Sequence, residues 1–185
     1  MGEPDRHTPE QKAALLKLAR DTIASRLTDT PRPGDTSDAE LKEKRGAFVT
    51  LRKRGALRGC IGEIEATQPL WDVVGKMAIQ SAFHDPRFPT LTKAELDKIE
   101  IEISVLTPME RIAGPEEIEI GVHGLFIRKG FNSGLLLPQV ATRYDWDPVT
   151  FLQQTCHKAG LGTDDWKSDA QIWRFSAEIF SEKNG

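Results

Sequence analysis

The sequence predicts an α+β fold, in which a mainly antiparallel sheet is flanked by helices in two lobes, one larger and one smaller. Residues 99–106 alternate strictly between apolar and polar side chains, which is the pattern of a half-buried antiparallel strand. Hairpin-like and helical segments are interleaved along the rest of the chain without a regular βαβ rhythm. At 185 residues with 38% hydrophobic content, the chain can bury one substantial core, and we expect a single domain over residues 1–185.

The first predicted element is a helix that begins at a capping box. Thr8 and Gln11 have the spacing of that motif, and Pro9 occupies the favoured first helical position. Apolar residues then recur at helical spacing as far as Leu27. Residues 28–39 contain two prolines and a glycine but no large apolar side chain, so they are expected to form an exposed internal loop.

A β-hairpin and a second helix follow. Residues 48–53 favour a strand, Arg54 and Gly55 favour a turn, and residues 57–64 are expected to return as the central strand of the sheet. A helix is predicted from residues 67–69 to Phe83, where a segment with two prolines ends it. Thr92 and Glu95 have the spacing of a second capping box before the alternating strand.

The second half of the chain predicts three further strands and two further helices. Strands are expected over residues 118–128, 135–137 and 172–180, the last with alternate apolar side chains on one face. Helices are expected over residues 139–144 and 147–159, the second of them ended by Gly160.

Composition and charge argue against nucleic-acid-binding, disulfide-rich and membrane-spanning classes of protein. The net charge is −3, so the whole chain has no general attraction to nucleic acid or to an anionic membrane. The two cysteines belong to no CxxC pair and suggest neither a disulfide framework nor a structural zinc site. No apolar run approaches the length of a membrane span or a signal peptide, so we expect a cytoplasmic protein. Seven basic residues lie between positions 42 and 58, and three of them, Arg52, Lys53 and Arg54, form the hairpin tip. This tip is most simply a solvated turn. It could also steer an anionic ligand or RNA, but nucleic acid is not an expected partner.

Residues 57–62, with the sequence LRGCIG, form the first candidate site. Two glycines inside a strand indicate a bulge or a close backbone approach. Strict alternation would place Arg58, Cys60 and Gly62 on one face, with Gly59 between them on the other. The bare Gly62 would leave space beside the thiol. Cys60 could be a nucleophile or a small core residue, and Arg58 an anion anchor or a solvated side chain.

The loop that follows the second helix supplies the other candidates. Asp85 and Arg87 could pair in a rigid turn or form the opposite wall of a cleft, and His84 could be a general base for Cys60. Neither the histidines nor the carboxylates have metal-ligand spacing, so no metal and no cofactor are expected.

Several separate motifs, in this order, resemble the AMMECR domain family. They are LRGCIG at 57–62, FHDPRF at 83–88, IEISVLTP at 101–108, GLLLPQVA at 134–141 and the segment 156–161. The resemblance extends from the first helix to Phe180 and implies a two-lobed α+β fold with no firmly assigned activity. It marks Arg58, Gly59, Cys60 and Gly62 as signature residues, together with positions 85–88; the position of His84 is less uniform in the family.

The resemblance also has a consequence for possible partners, because prokaryotic members of the family are called AmmeMemoRadiSam system protein A. It implies a pathway shared with Memo-like and radical S-adenosylmethionine proteins. Two functions follow as hypotheses. In the first, Cys60 is the reactive thiol and His84 its base, with Arg58, Gly59, Gly62, Asp85 and Arg87 binding a small anionic or polar substrate. In the second, the chain is a non-catalytic ligand-binding or adaptor module.

Overall fold

The computed structural model describes residues 6–183, which form two compact units. The N-terminal unit comprises residues 6–106 and 178–183, and the C-terminal unit comprises Thr107–Ala177. Each unit contains a four-stranded sheet and its own apolar cluster. Helices accompany two antiparallel sheets, so the predicted α+β class is confirmed.

The N-terminal unit is built from two helices and four strands. Its elements are α1 (Pro9–Thr28), β1 (Ala47–Lys53), β2 (Ala56–Glu63), α2 (Leu70–Phe83), a 3-10 turn (Lys93–Lys98), β3 (Ile99–Leu106) and β8 (Ala177–Ser181). The strand order is β2–β1–β3–β8. The Thr8 capping box is present at the start of α1, and Thr92 and Glu95 form the second one.

The core of this unit is built from the alternating side chains of the strands. Ile101 and Ile103 on β3 are fully buried, as their period-two spacing predicts. Their cross-strand partners on β1, Leu51 and Val49, are also fully buried. Buried residues of α1 and α2 complete the same cluster, so an apolar sheet face and two amphipathic helices share one core.

The C-terminal unit has a second sheet and two helices. Its elements are β4 (Glu110–Ile112), a 3-10 turn (Pro115–Glu117), β5 (Gly124–Lys129), β6 (Asn132–Leu136), α3 (Pro138–Arg143), α4 (Pro148–Lys158), a 3-10 turn (Asp165–Lys167) and β7 (Gln171–Phe175). The strand order is β4–β7–β5–β6. Phe151 and Cys156 of α4 pack in one cluster with Leu125 and Ile127 of β5.

Three predictions about strands are wrong. Residues 57–64 were expected to form a central strand, but β2 lies at the edge of its sheet. The predicted strand 118–128 is shortened to Gly124–Lys129, because the chain turns at Gly121 with φ +86° and His123 donates its N–H to the Glu119 carbonyl. The short strand β4 was not predicted at all.

Besides the central position of residues 57–64 and the length of the strand 118–128, the third prediction that is wrong is the single strand over residues 172–180. These residues form two strands in different sheets. The break falls at Ser176, whose backbone carbonyl and N–H bond to the backbone N–H and the hydroxyl of Thr107. The alternation therefore cannot run through this point, and β7 and β8 belong to separate sheets.

Among residues 6–183, no helix is both long and apolar enough to cross a lipid bilayer.

Candidate functional site

A β-bulge at Arg58 interrupts the alternation of β2. Leu51 pairs with Gly59 and Arg52 pairs with Leu57, so Arg58 is the extra residue on this strand. The bulge shifts the register of the strand between Leu57 and Gly59. The side chains of Arg58 and Cys60 have different partners.

Arg58 is buried against a carboxylate of the 3-10 turn. Its Nε and Nη2 each donate to Glu95, both at 3.1 Å, and Lys53 Nζ lies 2.7 Å from the same carboxylate. Arg58 and then Lys53 hold the pKa of Glu95 well below its usual range. The guanidinium is thus bound in a bidentate internal ion pair, while its Nη1 is buried without a partner within the described chain.

Asp85 and Arg87 bind the backbone of Cys60 on the open edge of β2. The Cys60 N–H donates to Asp85 Oδ2 at 2.9 Å, and Arg87 Nη2 donates to the Cys60 carbonyl at 3.0 Å. The same guanidinium donates to both oxygens of Asp85, at 2.9 and 2.7 Å. The Asp85–Arg87 pair therefore gives this residue the two hydrogen bonds that a further strand would supply.

The two members of this ion pair differ in burial, and the buried carboxylate has a lowered pKa. Asp85 is buried and Arg87 is half-exposed. The hydrogen bond from Arg87 is the largest influence holding the pKa of Asp85 well below its usual range, and the backbone N–H groups of Cys60 and Arg87 act in the same direction. Asp85 is therefore a carboxylate throughout the physiological pH range.

The two signature glycines lie where β2 meets neighbouring groups closely. A Cβ at Gly59 would lie 2.2 Å from the backbone oxygen of Ser81 on α2, so only glycine lets the helix approach this strand. A Cβ at Gly62 would lie 2.2 Å from the ring of Phe48. The space expected beside the thiol at Gly62 is therefore filled by an aromatic side chain.

Ser81 is a contributor that the sequence did not indicate. Its hydroxyl accepts from the Ile61 N–H at 2.8 Å and donates to the Val49 carbonyl at 2.7 Å. A helix side chain thus bridges β1 and β2 at a buried position. A serine inside an apolar helix face was the available signal, since such a hydroxyl needs a partner when it is buried.

Cys60 itself is partly exposed and lies opposite Thr50 on β1. The Thr50 hydroxyl donates to its Sγ at 3.1 Å. His84 ends α2 as its C-cap and is exposed, and no hydrogen bond joins its imidazole to Cys60 within residues 6–183. The proposed catalytic pair of Cys60 and His84 remains a prediction that this geometry does not assemble.

The basic residues near this strand are largely paired. Lys53 and Arg58 share Glu95, Arg52 lies 3.6 Å from Glu102, and Arg45 pairs with Glu43. No group of three or more metal-ligating side chains is placed to hold an ion anywhere from residue 6 to residue 183. Asp85 and Arg87 lie together at Cys60 as the sequence suggested, whereas Arg58 is bound separately.

Comparison with known proteins gives one consistent result. The AMMECR1 family model matches residues 16–180. A protein of Thermococcus onnurineus is 47% identical over 182 residues, which cover 91% of this chain and 89% of that protein. A protein of Methanosarcina mazei is 43% identical over 187 residues, with 95% and 94% coverage.

A solved structure agrees with the sequence matches. The crystal structure of uncharacterized protein PH0010 from Pyrococcus horikoshii superposes with a TM-score of 0.84 at 43% identity, covering 92% of this chain and 91% of that one. The family match covers most of the chain, and the structural match extends the likeness to the fold. The chain belongs to the AMMECR1 family.

Proposed function

We propose that this chain is a non-catalytic ligand-binding or adaptor module, in which the signature residues hold the edge of β2 in a fixed shape. The observation that carries the proposal is that Arg58, Asp85 and Arg87 are all engaged by other groups of the chain. An anion-binding arginine needs free donors toward its ligand, and a general base needs a pKa near the working pH. Arg58 is paired with Glu95, and the pKa of Asp85 is held far below neutrality.

The surface that such a module would offer lies beside the Asp85–Arg87 pair. His84 and Pro86 are exposed, and half of the Arg87 side chain reaches solvent. The pair fixes this turn to β2 through the Cys60 backbone, so its exposed groups are presented in one conformation. Preorganised loops bind with a smaller entropic cost than mobile ones. The proposed partners are the Memo-like and radical S-adenosylmethionine proteins that the family resemblance implies.

A cysteine-dependent enzyme is the second candidate. It is favoured by one observation: Cys60 is partly exposed, and its Sγ accepts a hydrogen bond from Thr50. In that case Cys60 would act on a small polar or anionic substrate.

Thiol kinetics separate the two candidates. Alkylation by iodoacetamide would be followed at pH 7 by mass spectrometry of the Cys60 peptide, with N-acetylcysteine as the reference thiol. The binding module predicts that Cys60 reacts no faster than the reference, because the hydrogen bond to its sulfur comes from the neutral hydroxyl of Thr50. A rate about tenfold above the reference would favour the enzyme.

A binding experiment tests the module itself. Purified Memo-like and radical S-adenosylmethionine proteins would be titrated separately into the wild-type chain, Cys60→Ala and His84→Asp by calorimetry. We expect Cys60→Ala to bind like the wild type, since it keeps the backbone that Asp85 and Arg87 contact. His84→Asp should weaken binding by changing the exposed turn. Absence of binding by the wild type to both proteins would contradict the adaptor proposal with these partners.

A further inference from the structure

A groove in the C-terminal unit lies along the strand β4, far in sequence from the signature residues. Its volume is about 680 Å³, which is within the range of small-ligand sites. Ile112 and Ile172, which pair across β4 and β7, supply apolar lining, and Trp166 of the 3-10 turn lines it as well. We call this cavity the β4 groove. β4 is the outermost strand of its sheet, so the groove lies at a sheet edge.

An unpaired cation lines the β4 groove. Arg111 is exposed, and its guanidinium makes no hydrogen bond or ion pair with any residue between 6 and 183. The other lining cation, Lys167, lies over the Trp166 ring at 5.2 Å and pairs with Asp164 at 2.7 Å. An arginine with its planar donor fork free is suited to bidentate binding of a carboxylate.

The indole of Trp166, which also lines the groove, has an unsatisfied hydrogen-bond donor. Its Nε1 is buried and has no hydrogen-bond partner within the described chain. Because this atom has almost no exposed surface, a ligand in the groove reaches it only if the wall of the groove moves, and the proposal does not use it.

The acidic residue of the lining limits how much negative charge the groove accepts. Glu117 is held in place by the backbone N–H of Ala113, which donates to its Oε1 at 2.8 Å. A polyanion such as a nucleotide would meet this carboxylate unfavourably. A ligand with one carboxylate at Arg111 and an apolar body over Ile112 and Ile172 would match both the charge and the lining of the groove.

We propose that the β4 groove binds a monoanionic carboxylate that carries an apolar body. Two sources share this chemistry: the C-terminus of a peptide that ends in aliphatic residues, and a free apolar carboxylic acid. The proposal uses no signature residue, so it stands or fails independently of the function proposed for the β2 edge.

Calorimetric titration of the full chain tests the proposal with three probes. They are an N-acetylated tetrapeptide ending in two leucines with a free carboxylate, the same peptide with a C-terminal amide, and octanoate. We expect at least one acid to bind, and the peptide acid, if it binds, to do so at least about tenfold more tightly than its amide because the amide has no charge for Arg111. Binding of the peptide acid identifies a chain terminus as ligand, and binding of octanoate alone identifies a free acid.

Two variants assign binding to the groove. Arg111→Ala should weaken binding of the acid at least about tenfold, because the guanidinium is the proposed partner of the carboxylate. Arg143→Ala is the matched control, since Arg143 is exposed in the same unit but outside the groove. Circular dichroism would confirm that each variant is folded; Arg111→Ala is decisive because an exposed, unpaired side chain contributes little to folding.

The proposal is overturned by any of three results. The first is that neither acid binds the wild type up to about 1 mM, a concentration at which even weak sites are occupied. The second is that the peptide acid and its amide bind equally well. The third is that Arg111→Ala binds the acid as tightly as Arg143→Ala does.

Discussion

Asp85 accepts hydrogen bonds from three groups: the N–H of Cys60, the N–H of Arg87 and the guanidinium of Arg87. At the scale of the residue, both oxygens of this carboxylate accept hydrogen bonds from within the chain. Its charge is compensated by donors that the chain itself supplies. A buried carboxylate without them would be strongly destabilising.

Asp85→Asn should therefore lower the free energy of unfolding by about 2 kcal/mol, because the amide keeps the shape but loses the charge that Arg87 pairs with. Urea denaturation at pH 7 measures the change. Asp97→Asn is the control, since Asp97 is exposed in the same unit and its change should stay within about 0.5 kcal/mol. Equal effects of the two substitutions would show that the Asp85–Arg87 pair contributes nothing to stability.

The pH dependence of stability follows from the lowered pKa values of Asp85 and Glu95. Each carboxyl has a lower pKa in the folded state than in the unfolded state, where the pKa is about 4. The unfolded chain then binds more protons in acid, so the stabilisation is complete above about pH 5 and declines as the pH falls below about 4. We expect Glu95→Gln to be less stable than the wild type at neutral pH and the difference to shrink by pH 3, as measured by urea unfolding. A difference that is constant with pH would contradict a role for this ionised group.

At the scale of the element, the contact between β2 and α2 determines the shape of the candidate site. Gly59 lets the strand meet the backbone of α2, and Ser81 of that helix bonds to both β1 and β2. The strand, the helix and the following turn are thereby locked together. This packing gives a structural reason for the signature residue Gly59.

Gly59→Ala tests this packing. A methyl group 2.2 Å from the Ser81 carbonyl must push β2 away from α2, and we expect a loss of about 2–3 kcal/mol in thermal or urea unfolding. Gly75→Ala is the matched control within α2, where the nearest atom to the new methyl group is 3.9 Å away. It should instead stabilise the protein by up to about 1 kcal/mol through helix propensity. A neutral Gly59→Ala would mean that β2 and α2 can separate at no cost.

At the scale of the whole molecule, residues from near both ends of the described chain complete the N-terminal unit. Arg20 of α1 forms hydrogen bonds to both oxygens of Glu182, which follows β8, and to the carbonyls of Leu96 and Ile99. The second oxygen of Glu182 also accepts the Ile101 N–H. One guanidinium thus joins the first helix, the segment before β3 and the returning end of the chain.

Arg20→Lys should cost about 1–2 kcal/mol, because an ammonium cannot reproduce the planar fork that reaches four acceptors. Urea unfolding of the intact chain provides the measurement. Arg26→Lys, an exposed change on the same helix, should alter stability by less than about 0.5 kcal/mol. If the two variants unfold alike, Arg20 does not hold the unit together.

Local signals in the sequence were enough to predict several elements of this protein. The Thr8 capping box, the alternation of residues 99–106 and the two prolines after α2 each depend on neighbours within a few positions, and the structure has them as predicted. The closeness of Asp85 and Arg87 to Cys60 was also anticipated.

Tertiary structure alone decided what those residues contact. The bulge at Arg58 depends on pairing with β1, and the capture of its guanidinium by Glu95 depends on a turn 37 residues away. The division of residues 172–180 between two sheets likewise depends on Thr107. The periodicity of the sequence shows which side chains alternate, but it carries no information about the distant residues that they contact. In this protein, those distant residues determine which signature side chains are already engaged within the chain.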